Sequence, residues 1–130
     1  MSARVLLPEG WPVPKGYANG MAATGRLVFT AGVVGWDSEG RFAEGLAAQC
    51  AQTFANIVAI LAADGASPSD VVKLTWYVTS RDAYLAETKT IGSAYRAVFG
   101  THYPAMAVVQ VLALMEAAAL VEIEATAVVA

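Results

Sequence analysis

The chain has 130 residues, of which 57% are hydrophobic and only 15% charged, with a formal net charge of -3 and a pI near 5.0. Its Lys and Arg residues are scattered without a cluster, which excludes a partner recognised through a basic patch, such as nucleic acid or an anionic membrane. No apolar run reaches the roughly 18–20 residues that a membrane span needs, and the start Met1-Ser2-Ala3-Arg4 leads into Leu-Leu-Pro-Glu rather than a signal-peptide core.

Length and composition imply one domain, 1–130, with a substantial core. The single cysteine, Cys50, allows no internal disulfide and no cysteine zinc site, and cytoplasm is the expected compartment. So large an apolar share in a chain without a membrane span implies burial in an oligomer, since a monomer would expose sticky patches.

Residues 1–16 are punctuated by Pro8, Gly10, Pro12, Pro14 and Gly16, with room for a short strand over Val5–Leu7. The runs 17–24 and 27–33 flank Thr24-Gly25-Arg26, a spacing that predicts a hairpin. The second run, Leu27 onward, is apolar on both parities and reads as a strand covered on both sides. Gly35–Arg41 is a loop in which Trp36 either lines a pocket or pins the loop to the body.

From Leu46 to about Ala63 apolar residues recur as Leu46, Cys50, Phe54, Ile57, Val58 and Leu61, the spacing of a helix face, and Gly65 closes it. Cys50 lies on that stripe and reads as a core thiol, with no neighbouring cation to activate it. Ser67-Pro68-Ser69-Asp70 is a capping-box turn. Val71–Thr79 follows as a strand, on which Trp76 and Tyr77 alternate, one toward the helices and one away. Ser80-Arg81-Asp82 opens a second helix to about Phe99, with Tyr84, Thr88, Ile91, Tyr95 and Val98 on its apolar side and Lys89 and Arg96 on its wetter side.

Two apolar runs, Met106–Leu114 and Leu120–Val129, complete the chain as strands, although Leu112–Leu120 has high helix propensity. The order is β-β-β-α-β-α-β-β. Two helices cover one face of a sheet of about six strands, so the other face is expected to meet another subunit. Glu122 and Glu124 lie two positions apart in an apolar run and share one face of a strand. Two acids there require a polar site or a wet face, because burying an unpaired carboxylate is costly.

Taken in order, several segments resemble the Rid family, the YjgF group, over nearly the whole chain. They are Gly16-Tyr17; Phe29-Thr30-Ala31-Gly32-Val33; Gln49 and Asn56 with Thr53, Ala55 and Ile57 on one helix; and Gly65 through Lys73. Further along stand Tyr95 with Phe99, Tyr103-Pro104-Ala105 with Val111 and Leu114, and Val121-Glu122-Ile123-Glu124-Ala125. The resemblance implies an α+β fold similar to the trimeric chorismate mutases: a six-stranded mixed sheet, two helices on one face, and a homotrimer with ligand clefts between subunits. It also implies that 112–120 is a loop joining two strands.

The activity implied is hydrolysis of imines or enamines to carbonyl compounds and ammonia, with no metal and no cofactor. By residue, Glu122 matches the catalytic acid that activates water, and Glu124 a partner acid with a structural role. Tyr17, Ala31 and Gly32 match pocket positions, and Trp36 is a further lining candidate. Two positions depart from the pattern. After Pro104-Ala105 the family carries an Arg that grips the substrate carboxylate, and here stands Met106; the pocket Asn three residues before Tyr95 is Gly92. Losing a charge-assisted pair removes about 1.5–3 kcal/mol of binding, so a substrate without a carboxylate at that place is expected. His102, Arg96 and Lys89 are the candidates for a replacement charge. The alternatives to a hydrolase are a trimeric metabolite-binding protein without catalysis and a purely structural partner. The acidic charge fits ribonuclease activity, an older label for the family, poorly.

Overall fold

The structure, a computed structural model, describes residues 3–130. Its strands are β1 (Arg4–Leu6), β2 (Gly20–Ala22), β3 (Arg26–Phe29), β4 (Val33–Val34), β5 (Val71–Val78), β6 (Ala105–Gln110) and β7 (Val121–Val129). Its helices are α1 (Leu46–Ala62), α2 (Arg81–Ala86) and α3 (Thr88–Phe99), with a 3-10 turn at Pro68–Asp70.

The architecture is α+β with a mixed sheet. Five strands form the main sheet in the order β3-β7-β5-β6, with β4 continuing β3 along the edge of β7. β5 and β6 run parallel, and β7 is antiparallel to β3, β4 and β5. β1 and β2 form a separate antiparallel ribbon, tied to the main sheet where the Ala18 N–H donates to the Pro104 carbonyl at 3.0 Å. The expected single sheet of six strands is thus five plus two.

The expected hairpin between 17–24 and 27–33 does not form: β2 pairs with β1, and β3 with β7. Gly25 marks a close approach instead, because a Cβ there would lie 2.1 Å from the Val129 carbonyl oxygen. Thr24-Gly25-Arg26 does break the chain between β2 and β3, but a break does not name the strand's partner.

α1 forms as its stripe predicts, with Leu46, Cys50, Phe54, Ile57 and Leu61 buried. Gly65, at φ +75°, ends it: the Ala66 N–H reaches back to the Leu61 carbonyl and the Gly65 N–H to that of Ala62, a Schellman closure. The Ser67–Asp70 capping box is present in full. The second expected helix is two. Ser80 caps α2 by accepting from the Ala83 N–H, and Glu87 then leaves helical geometry while the Thr88 hydroxyl donates to the Leu85 carbonyl. A side chain competing for a backbone acceptor interrupts a helix at such a point.

β5 buries Val71, Leu74, Trp76 and Val78 toward the helices, and a bulge between Val71 and Lys73 resets its alternation. On β7 the inward residues are Val121, Ile123, Ala125 and Ala127. At the centre of the core Phe54 packs edge-on to Trp76, Tyr95 and Phe99 at centroid distances of 5.4, 5.7 and 5.9 Å.

The outward face differs from a uniformly apolar one. Its middle carries Lys73, Thr75, Tyr77, Glu122 and Glu124, while apolar residues lie on flanking strands: Leu27 and Phe29 on β3 are 58% and 64% exposed. β6 stops at Gln110, and 111–120 is irregular, with neither the longer strand nor a helix. Leu112 and Met115 in that connection are fully exposed, at 101% and 97%. No helix among the described residues is long and apolar enough to cross a membrane.

Candidate functional site

The residues singled out from the sequence fall into two groups on opposite faces of the sheet. Register decides this. Met106 lies opposite Leu74, and Val108 opposite Trp76, so both side with the helix-facing residues of β5. Glu122 lies opposite Tyr77, on the outward face.

The outward group is Glu122, Ala31 and Gly32. From Phe29 to Val33 the β3–β4 strand takes four steps while its partner takes three, from Thr126 to Ile123. The extra residue is a bulge at Thr30–Gly32, a device that re-aims side chains beside functional sites. Thr30 holds it: its N–H donates to the Ala125 carbonyl, and its hydroxyl accepts from the Ala125 N–H and donates to the Ala31 carbonyl. The Glu122 carboxylate rests against Gly32, where an added Cβ would lie 2.2 Å from Oε2. Glu122 is half-buried, and its carboxylate makes no hydrogen bond or ion pair to any described residue. Glu124 differs: its Oε1 accepts from the Tyr77 hydroxyl at 2.8 Å. That bond, foremost, holds the Tyr77 phenol above its ordinary pKa.

The helix-side group lines a cavity of about 460 Å³ between α2–α3 and the β5–β6 edge, and includes Tyr17, Gly92 and Met106. Around it stand Trp76, Tyr84, Tyr95 and Tyr103, with Lys15 and Arg96. Burial raises the pKa values of Tyr84 and Tyr95, so these phenols serve as neutral surfaces and donors rather than as bases.

Trp36 joins neither group. It packs on Phe42 at a centroid distance of 5.5 Å, pinning its loop. Of the candidate replacement charges, only Arg96 lines the cavity. The His102 Nε2 sits 2.6 Å from the Val71 carbonyl, which requires the Nε2–H tautomer, and its own carbonyl accepts from the Tyr95 hydroxyl. Lys89 is exposed elsewhere on α3. Cys50 is fully buried; burial first, and the charge of Glu87 second, push its thiol up to about 12. Among the described residues no group of three or more His, Cys, Asp and Glu gathers to hold a metal ion.

Two positioning residues carry a role that the sequence did not disclose. The buried Gln49 amide donates to the Ala43 and Ala118 carbonyls at 3.1 and 3.0 Å, while its oxygen accepts from the Leu120 N–H at 2.8 Å. One helical turn pair along, Asn56 donates to the Val34 and Trp36 carbonyls at 2.9 and 2.8 Å. Val34 is the register partner of Glu122, and Leu120 leads into β7. Together the two amides fix the backbone on both sides of the carboxylate. Their seven-residue spacing was the available signal; their targets, far away in sequence, were not readable from it. Lys15 was also missed, since it sits in an irregular segment without any pattern.

The comparisons with known proteins bear on the family and the fold. The endoribonuclease L-PSP family model matches residues 12–129. A RutC family protein of Pyrococcus abyssi is 33% identical over 129 residues, with 98% of each chain covered. A 2-iminobutanoate/2-iminopropanoate deaminase of Salmonella typhimurium is 33% identical over 131 residues, covering 97% of this chain and 98% of that one. The crystal structure of YyfB from Yersinia pestis, a Rid-family protein of unknown function, superposes with a TM-score of 0.85 at 35% identity, over 99% of this chain and 100% of that one. The chain therefore belongs to the endoribonuclease L-PSP family, the group that holds the Rid and YjgF proteins.

Proposed function

We propose that the protein is an imine or enamine hydrolase that releases ammonia from a small reactive metabolite. The observation that carries this reading is Glu122: a half-buried carboxylate, bonded to no described residue, held against a glycine in a bulge. A residue kept for structure would be engaged as Glu124 is. The deaminase from Salmonella, similar along its full length, supports the reaction class.

In the proposed reaction a water molecule loses a proton to Glu122 and adds to the imine carbon. The proton passes to nitrogen to give a carbinolamine; Glu122 then takes the hydroxyl proton and hands it to the amine as the C–N bond breaks, and a carbonyl compound and ammonia leave. The imine carbon is already electrophilic, so proton transfer is what the protein must supply. Because Glu122 and the Met106 cavity lie on opposite faces within one protomer, the site is completed between copies, the outward face of one subunit meeting the cavity of the next in a homotrimer. The exposed Leu27, Phe29, Leu112 and Met115 give such contacts apolar area. Met106 in place of the carboxylate-binding Arg directs specificity away from small 2-imino acids bound at that point.

The test is ammonia release from freshly generated imines, 2-iminopropanoate and an uncharged ketimine with a free N–H, by wild type, Glu122→Ala and Met106→Arg. Turnover of the uncharged imine that is lost in Glu122→Ala, together with 2-iminopropanoate turnover gained in Met106→Arg, is the expected result. Silence of all three proteins would favour a second reading, a binding protein without catalysis. The separation of carboxylate and cavity in each protomer is the observation on that side.

A further inference from the structure

The two carboxylates of β7 share the outward face of the sheet, and one phenol stands across the strands from them. Tyr77 on β5 is the register partner of Glu122, while Glu124 lies opposite Thr75. Side chains directly opposite on antiparallel strands have Cβ atoms about 4.5–5.5 Å apart, and diagonal ones about 7–8 Å. The Tyr77 hydroxyl nevertheless passes over the carboxylate that faces it and donates to the diagonal one, Glu124 Oε1, at 2.8 Å. Glu122 leans the other way, with its Oε2 against Gly32 in the bulge that precedes β4. Its charge still reaches the phenol: the bond to Glu124 is the first cause of the raised Tyr77 pKa, and the Glu122 charge is a further one.

A phenol has one proton to give and lone pairs that accept. With that proton committed to Glu124, the Tyr77 oxygen is only an acceptor toward whatever lies between it and Glu122. A water molecule there has both hydrogens drawn to acceptors, one to the carboxylate and one to the phenol oxygen, and its own lone pair is left for an electrophile. Without Glu124 the phenol would be free to donate to Glu122 instead. That bond would occupy the carboxylate and favour its charged form, making it a poorer base.

We propose that Tyr77 and Glu124 are positioning residues for the reaction at Glu122: Glu124 holds the Tyr77 proton, and the phenol oxygen, left as an acceptor, shares with Glu122 the water that attacks the imine. This rests on the hydrolase reading for the attack itself. The water gives its proton to Glu122, and the phenol keeps its own throughout, so Tyr77 turns the water without entering the proton transfer. On the strands of this sheet the other charged side chains are Lys73 on β5 and Arg26 on β3, the latter paired with Asp64; β4, the bulge and β6 contribute no titratable group.

The experiment is steady-state hydrolysis of the uncharged N–H ketimine by the whole protein, with Tyr77→Phe, Glu124→Ala, Glu124→Gln and the double variant Tyr77→Phe/Glu124→Ala, beside an NMR titration of the Tyr77 Cζ carbon. Tyr77→Phe keeps the ring and is expected to lower kcat about tenfold with KM within about twofold of wild type. Glu124→Ala is expected to lower kcat about 10–100-fold, and Glu124→Gln, whose amide oxygen still accepts from the phenol, to recover to within about threefold of wild type. Because Glu124 acts through the phenol, its removal from Tyr77→Phe costs less than about twofold more, a non-additivity that two independent losses do not show. Glu124 is exposed and Tyr77→Phe removes a single oxygen, so melting temperature and sedimentation serve as controls for fold and assembly. In the titration the Tyr77 pKa is expected to stay raised in Glu124→Ala, where the hydroxyl donates to Glu122, and to fall when Glu122 is replaced by Ala as well. Full kcat in Tyr77→Phe, additive losses in the double variant, or a Tyr77 pKa that returns to its ordinary value in Glu124→Ala alone would overturn the proposal. Turnover that depends on Glu122 and not on Tyr77 sinks this inference by itself, whereas absence of turnover in wild type sinks the hydrolase reading and this role together.

Discussion

Replacing Gln49 by Leu tests whether the stapled backbone around Glu122 is held as described. The substitution keeps the side chain's approximate volume and its place on the buried stripe of α1, but removes three hydrogen bonds at once. The Ala43 and Ala118 carbonyls and the Leu120 N–H are each only part-buried, so water can recover some of the loss. At about 1 kcal/mol net for each bond, rising where a group stays dry, the cost is about 2–4 kcal/mol. With a urea slope of about 2 kcal/mol/M, the unfolding midpoint falls by about 1–2 M. The assay is urea unfolding at fixed protein concentration, with amide exchange at Leu120 as a local probe. Gln49→Glu sharpens it, because a carboxylate would face two carbonyl oxygens. Its protonated form alone can donate, so its folded pKa is raised, and the stability it lacks at neutral pH returns as pH falls below that value. A Gln49→Leu midpoint within about 0.3 M of wild type, about 0.6 kcal/mol, with Leu120 still protected, would refute the staple.

The remaining predictions address the site, the thiol and the assembly. Gly32→Ala places a methyl 2.2 Å from Glu122 Oε2, so the carboxylate must move by about 1 Å; a shift of that size costs about a hundredfold in turnover, and unchanged turnover with an unchanged melt would dissociate Glu122 from the chemistry. Cys50 is expected to resist alkylation at pH 8 in the folded protein and to react fully in urea, and reaction at a free-thiol rate would contradict its burial. Because its folded pKa is raised from 9.0 to about 12, its contribution to stability is complete below pH 9 and is lost as pH rises toward 12, which alkaline unfolding curves of wild type and Cys50→Ala would reveal. Leu112→Glu with Met115→Glu is expected to change stability of the protomer by less than about 0.5 kcal/mol while shifting sedimentation toward smaller species, and an unaltered assembly would remove this loop from the interface.

The sequence by itself determined whatever depends on neighbours within a few positions. The α1 stripe from Leu46 to Leu61, its Gly65 stop and the Ser67–Asp70 capping box follow from local geometry and formed as expected. So did the alternation that puts Trp76 and Tyr77 on opposite faces and Glu122 and Glu124 on one; which of the two rings faces the helices came from the structure, and it is Trp76. Resemblance, spread over many short matches, added the α+β class. Tertiary structure decided every feature that depends on a partner distant in the chain. β3 left the turn at Gly25 to pair with β7 rather than β2, because a strand's edge is satisfied by any compatible edge and no local signal specifies which. The bulge at Thr30–Gly32 appears only when two registers are counted against each other. Met106 and Glu122, joined in one expected cleft, lie on opposite faces because parity is set by pairing with β5. Arg96, read as a surface cation, is exposed and at the same time lines the helix-side cavity, which only the packing of α3 against β5 and β6 reveals.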